Sequence, residues 1–142
     1  MKNLLLLLLA ATFFISCKKD STSYIATDPV TNGLDNATVS GSGKLVFSDE
    51  GNSQGWVKIY LKKDGTYVLG LEQMNYQSLF DTNIYLSAGA GLTTTSVKIF
   101  SAKKLQGNIY YPLPAGINLA AIRYLIIQSD KDDSPTASAA LQ

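Results

Sequence analysis

Three sets of residues in this chain could do chemistry: the sole cysteine, Cys17; the acidic run Asp130, Asp132 and Asp133; and a set of aromatics that includes Trp56, Tyr60, Tyr67, Tyr76, Tyr85, Tyr110, Tyr111 and Tyr124. There is no histidine. That removes Ser-His-Asp and Cys-His catalysis, the commonest zinc ligand and the usual haem ligand. An enzyme built from this chain would have to work with carboxylates, lysine or tyrosine alone. The acidic run offers oxygen ligands, but calcium needs about six to eight of them and a tight glycine turn. Lys131 interrupts the run and no glutamate follows it. It reads as a solvated loop. No metal site, no cofactor and no enzymatic activity are expected.

Cys17 is defined by what precedes it. Met1, Lys2 and Asn3 form a short basic head, Leu4–Leu9 an unbroken leucine run, and Ala10, Ala11, Phe13, Phe14 and Ile15 extend it to the small residue Ser16. A charged head, an apolar stretch and a small residue before a cut make the plan of a secretory signal peptide. The apolar stretch falls short of the roughly 17–25 residues a spanning helix needs. Phe14-Ile15-Ser16-Cys17 resembles the lipobox of bacterial lipoproteins, with Phe14 in place of the usual leucine. The resemblance implies cleavage before Cys17, a diacylglyceryl group on its sulfur and an N-acyl chain such as palmitate. Each buried methylene contributes about 0.8 kcal/mol, and one chain anchors only reversibly, so three chains would hold the protein at the membrane for good. Lys18 stands where aspartate often signals retention in the inner membrane. The implied location is the outer membrane, on its periplasmic face or at the cell surface.

Loss of Lys2 with the leader brings Lys plus Arg level with Asp plus Glu, at 11 each. A neutral chain lacks the clustered cations that nucleic acid requires, so none is expected as a partner. No second cysteine exists to make a disulfide, yet the chain after Cys17 is long enough to bury a core without one.

The organisation expected is a leader over residues 1–16, a flexible tether over 17–40, rich in Ser, Thr, Asp, Asn and Gly, and a folded domain over 41–142. From Gly43 onward the pattern has period two. Leu45 and Phe47 alternate with Lys44 and Val46; Val57, Ile59 and Leu61 alternate with Trp56, Lys58, Tyr60 and Lys62. Lys63-Asp64-Gly65 turns the chain into a return strand carrying Tyr67, Leu69 and Leu71. Further strands are expected at 83–87, 96–101, 108–113, 122–129 and 136–141. Gly- and Pro-containing clusters, Gln106-Gly107 and Pro112–Gly116 among them, read as turns. Residues 118–124 could begin as a helical turn. The fold class this predicts is all-β, an antiparallel β-sandwich.

On such strands Trp56 and Tyr60 share the face opposite Val57, Ile59 and Leu61. With Val57 and Ile59 in the core, the two aromatics lie on the outer surface. There they could stack on a glycan or an envelope protein, or pair across strands to stabilise the sheet. Lys58 and Lys62 read as solubilising charge on the same face.

The order of short motifs from Gly41 to Leu141 resembles the DM-thirteen domain, a small all-β extracellular domain described as an electron-transfer domain. The motifs are Gly43-Lys44-Leu45-Val46-Phe47, Gly55–Tyr60 followed by Tyr67–Glu72, Asp81-Thr82-Asn83-Ile84-Tyr85-Leu86-Ser87, and Leu105–Pro114. The resemblance implies the same sandwich fold and singles out Asp81, together with Tyr85 of the same motif. Asp81 reads either as a ligand contact at a strand entrance or as a cap on backbone N–H groups. The family's working cysteine would fall on Gln128 or Ser129, neither of which forms a thiolate, so thiol chemistry does not carry over. The expected role is therefore binding or adhesion by a lipid-anchored, non-enzymatic envelope domain, with Trp56, Tyr60, Asp81 and Tyr85 as candidate ligand contacts. An accessory role in an extracytoplasmic electron-transfer system is the alternative.

Overall fold

The structure, a computed structural model, describes residues 34–49 and 51–142. Residues 1–33, which include the leader, Cys17 and most of the expected tether, lie outside the described residues.

Seven strands account for most of the domain: β1 (Thr38–Lys44), β2 (Val46–Phe47), β3 (Gln54–Leu61), β4 (Tyr67–Ser87), β5 (Val97–Pro112), β6 (Tyr124–Ser129) and β7 (Ala137–Ala140). Every pairing is antiparallel. The fold is the expected all-β sandwich, closed nearly into a barrel. A single 3-10 turn, Leu119–Ala121, occupies the place where a helical turn was anticipated.

The period-two pattern of β3 maps directly onto burial. Val57 and Ile59 point into the core while Trp56, Lys58 and Tyr60 point out. The β3–β4 hairpin is set by its turn. The Lys62 N–H donates to the Thr66 carbonyl at 2.9 Å and Gly65 takes a φ of 80°. The Thr66 N–H and hydroxyl both donate to Asp64 Oδ1, at 2.9 and 2.6 Å, which draws the Asp64 carboxyl down to about 2.

β4 and β5 are single long strands of 21 and 16 residues, where the alternation predicted two shorter strands in each. The first half of β4 pairs with β3 and its second half with β6, while β5 follows β4 throughout. One ribbon thus runs from one layer of the sandwich into the other. Three irregularities interrupt its ladder, the last a single extra residue, Ile99, between the Ile84–Phe100 and Tyr85–Lys98 pairs, and the first two are the larger. Glu72 and Gln73 face Asn108 as a bulge, with Gln73 at a φ of 51° and its N–H held by Asn108 Oδ1 at 2.8 Å. Further on, Gln77 pairs with Lys104 and Thr82 with Ala102, so Ser78–Asp81 stand as a lip opposite Lys103 alone. Bulges of this kind sharpen strand twist and redirect the chain. They also shift the parity of the apolar positions, which hides the continuity of both strands. Gly107, at a φ of 73°, lies within the ladder rather than in a turn between strands.

The core lies between the layers. Val57, Leu69 and Leu71 meet Ile84, Leu86, Leu125 and Ile127, all fully buried. Each such side chain contributes about 1.5–3 kcal/mol. β1 begins at Thr38, so residues 38–40, assigned to the tether by composition, belong to the sheet. Pairing with residues 60 and 61 of β3 recruits them despite their polar character. β1 passes through Leu45 into β2, which pairs with β7. Ser42 and Gln142 exchange backbone hydrogen bonds of 2.9 and 3.0 Å, which closes the remaining seam. Gly43 is required there, because a Cβ would collide with the Ala140 carbonyl.

Candidate functional site

The β3–β4 register places Lys58 opposite Gly70, Tyr60 opposite Val68 and Trp56 opposite Glu72. β1 adds Lys44 beside Trp56, Ser42 beside Lys58 and Val39 beside Tyr60. β5 adds Tyr110 beside Gly70 and Pro112 beside Val68. These residues share the outer face of one layer and form a four-strand platform.

Its centre is Glu72. Lys58 Nζ donates to Glu72 Oε2 at 2.6 Å. The Tyr60 hydroxyl donates to Oε1, and the Tyr110 hydroxyl reaches the same oxygen at 3.3 Å. The rings of Tyr60 and Tyr110 meet edge to face, with centroids 6.2 Å apart and planes at 67°. They lie over Gly70, where a Cβ would come within 2.8 Å of Tyr60 Cε2 and 3.0 Å of Tyr110 Cε1. Gly70 leaves the space through which both phenols reach the carboxylate.

The electrostatics follow from this geometry. Burial pushes the Glu72 carboxyl up, but hydrogen bonds from Lys58 and Tyr60 and the nearby ammonium charge outweigh it, leaving Glu72 below the ordinary carboxylate range. Burial, and then Glu72 itself, drive the Tyr60 phenol well above its usual value. Tyr110 is raised for the same reasons. At neutral pH Glu72 is ionised and both phenols keep their protons. The phenol protons are committed to Glu72, so each oxygen presents its lone pairs outward, and the Lys58 ammonium retains further donors. A carboxylate held ionised by three donors is a poor general acid, and a phenol with a raised value a poor base. Trp56, 43% exposed, flanks this polar floor with an apolar ring. An apolar face beside fixed donors and acceptors is the surface a polyhydroxylated ring would meet.

Of the four residues predicted as ligand contacts, Trp56 and Tyr60 share this platform. Tyr85 lies on the second half of β4, between Lys98 of β5 and Ile126 of β6. Burial and then the Asp130 charge raise its phenol. Asp81 stands exposed on the lip, and there the N–H of Phe80 is capped by Ser78 Oγ at 3.1 Å rather than by Asp81. The change of layer within β4 separates these two residues from the platform. Lys58, read as plain solubilising charge, is the ion-pair partner of Glu72. Glu72, Gly70 and Tyr110 went unrecognised as site residues. Counting outward from the Lys62–Thr66 turn brings Glu72 opposite Trp56, which was the available signal.

Elsewhere, Asn83 Nδ2 donates to Asp130, Ser101 Oγ donates to Asn83 Oδ1 at 2.6 Å, and Gln128 Nε2 donates to the Asp132 carbonyl at 2.8 Å. The acidic run is thus folded onto the end of β6. Among the described residues no group of three or more His, Cys, Asp or Glu is placed to hold a metal ion. A cleft of about 250 Å³ between the β3–β4 turn and residues 113–117 is smaller than the roughly 300–1,000 Å³ of small-molecule pockets.

Comparison of the chain with protein-family models, with curated proteins and with solved structures returns no match.

Proposed function

We propose that this chain is a lipid-anchored, non-enzymatic binding domain of the outer membrane that holds a glycan on the β1–β3–β4–β5 platform. The observation that supports it most is the half-exposed Trp56 set beside two phenols and a lysine that Glu72 orders from below. Stacking on Trp56 supplies the apolar contact. The phenol oxygens and Lys58 supply acceptors and donors for sugar hydroxyls. The lipobox-like sequence ending at Cys17 supports the anchor.

Trp56 is the only tryptophan in the chain, so its fluorescence reports the platform without interference. Titration with a panel of neutral oligosaccharides should quench and blue-shift its emission, and Trp56→Ala should abolish binding measured by calorimetry. An unchanged spectrum across the panel, with retention instead of an envelope protein through the same face, would replace the glycan by a protein ligand. For the anchor, Cys17→Ala should move the protein from the membrane fraction to the soluble fraction. Continued membrane association of that variant would sink it.

A further inference from the structure

β5 carries a second feature, independent of the platform. It pairs only with β4, so among the described residues its other edge is open. Roughly half of its backbone N–H and C=O groups face that edge. The stretch Ser101–Gln106 is the exposed part: Ser101, Lys103, Lys104 and Gln106 are exposed, while Leu105 is buried beneath them. Open edges are templates for strand pairing, and proteins commonly blunt them with lysine.

Here the lysines do more than blunt. β5 carries Lys98, Lys103 and Lys104 and no Asp or Glu. None of the three forms an ion pair among the described residues. A second copy docking antiparallel at Ser101–Gln106 would set the two Lys103-Lys104 pairs against each other, and like charges directly across a ladder destabilise it. An extended segment bearing carboxylates meets the opposite condition.

We propose that Ser101–Gln106 of β5 receives an extended acidic peptide segment of a partner protein by strand addition, with Lys103 and Lys104 selecting carboxylates at adjacent positions of that segment. Backbone pairing supplies affinity in this mode and the side chains supply selectivity.

The probe is an acetylated octapeptide with a central Glu-Glu pair flanked by valines and threonines, so that one carboxylate falls on each face of the added strand, added to the full chain in detergent and followed by NMR. Expected are shifts and slowed hydrogen exchange at alternate amides of Ser101–Gln106, and a loss of affinity of about tenfold or more in the Lys103→Glu, Lys104→Glu double variant. Both lysines are exposed, so the variant should keep its circular dichroism spectrum. Equal binding of a glutamate–proline octapeptide, which cannot pair as a strand, would reduce the effect to charge alone and overturn the proposal. So would unprotected β5 amides at saturating peptide, or association of the chain with itself through β5.

Discussion

Tyr60 donates its phenolic proton to Glu72, although the two are not cross-strand partners: Glu72 stands opposite Trp56 and Tyr60 opposite Val68. The bond runs diagonally over Gly70, and Tyr110 mirrors it from β5. A single missing side chain therefore organises three strands around one carboxylate.

Glu72→Gln keeps the shape and removes the charge. Lys58 then loses its ion pair, and the phenols lose an anionic acceptor. The Lys58 side chain is 33% exposed and that of Glu72 14%, so the pair is only partly screened. A loss of about 1–2 kcal/mol is expected in urea unfolding, with oligosaccharide affinity falling as the floor loosens.

Gly70→Ala places a methyl group under the Tyr60 and Tyr110 rings. Alanine in a strand interior would ordinarily gain a few tenths of a kcal/mol or more over glycine. Here the rings must lift from Glu72, and a net loss of about 1 kcal/mol is expected. Fluorescence of Trp56 should shift, and the phenols should titrate closer to their ordinary value in a tyrosinate absorbance scan.

Stability should fall at both ends of the pH scale. Glu72 is lowered in the folded protein, so its contribution is complete above the unfolded carboxyl value of about 4.3 and disappears as pH drops through its own lower value. Tyr60 and Tyr110 are raised, so theirs is complete below about 10 and disappears as pH climbs beyond it. Urea midpoints measured across pH should show a plateau between these limits. The acid limb should flatten in Glu72→Gln and the alkaline limb in Tyr60→Phe.

Gly43→Ala tests the closure. Its Cβ would strike backbone rather than a movable side chain. A loss of about 3 kcal/mol is expected, several times that of Gly41→Ala, where the nearest atom is 3.8 Å away. Similar costs at the two positions would mean that β1 and the chain end are not in contact.

The alternation of Val57 and Ile59 with Trp56, Lys58 and Tyr60 was legible because β3 is regular and half-buried. The length of β4 and β5 was not. The Gln73 bulge and the Ser78–Asp81 lip each reset the phase of the apolar positions, and Gly107 imitates a turn. The platform was half legible for a related reason. Trp56 and Tyr60 lie on one strand, where spacing alone relates them. Glu72 and Tyr110 join them only through cross-strand register, and Gly70 matters through the side chain it lacks. Asp81 and Tyr85 follow Glu72 on the same strand, but the lip carries them into the other layer.

The pairing of β1 on both flanks has a mechanical consequence. Its residues pair with 56–61 of β3 on one side, and Ser42 is tied to Gln142 on the other. A pull along β1 from Thr38, the end nearest Cys17 in the chain, loads these bonds together in shear instead of opening them one at a time. A ligand held on β3 and β4 would put its tension through that same strand. In single-molecule pulling, the domain should therefore resist a load between Thr38 and the platform better than one applied across β6 and β7.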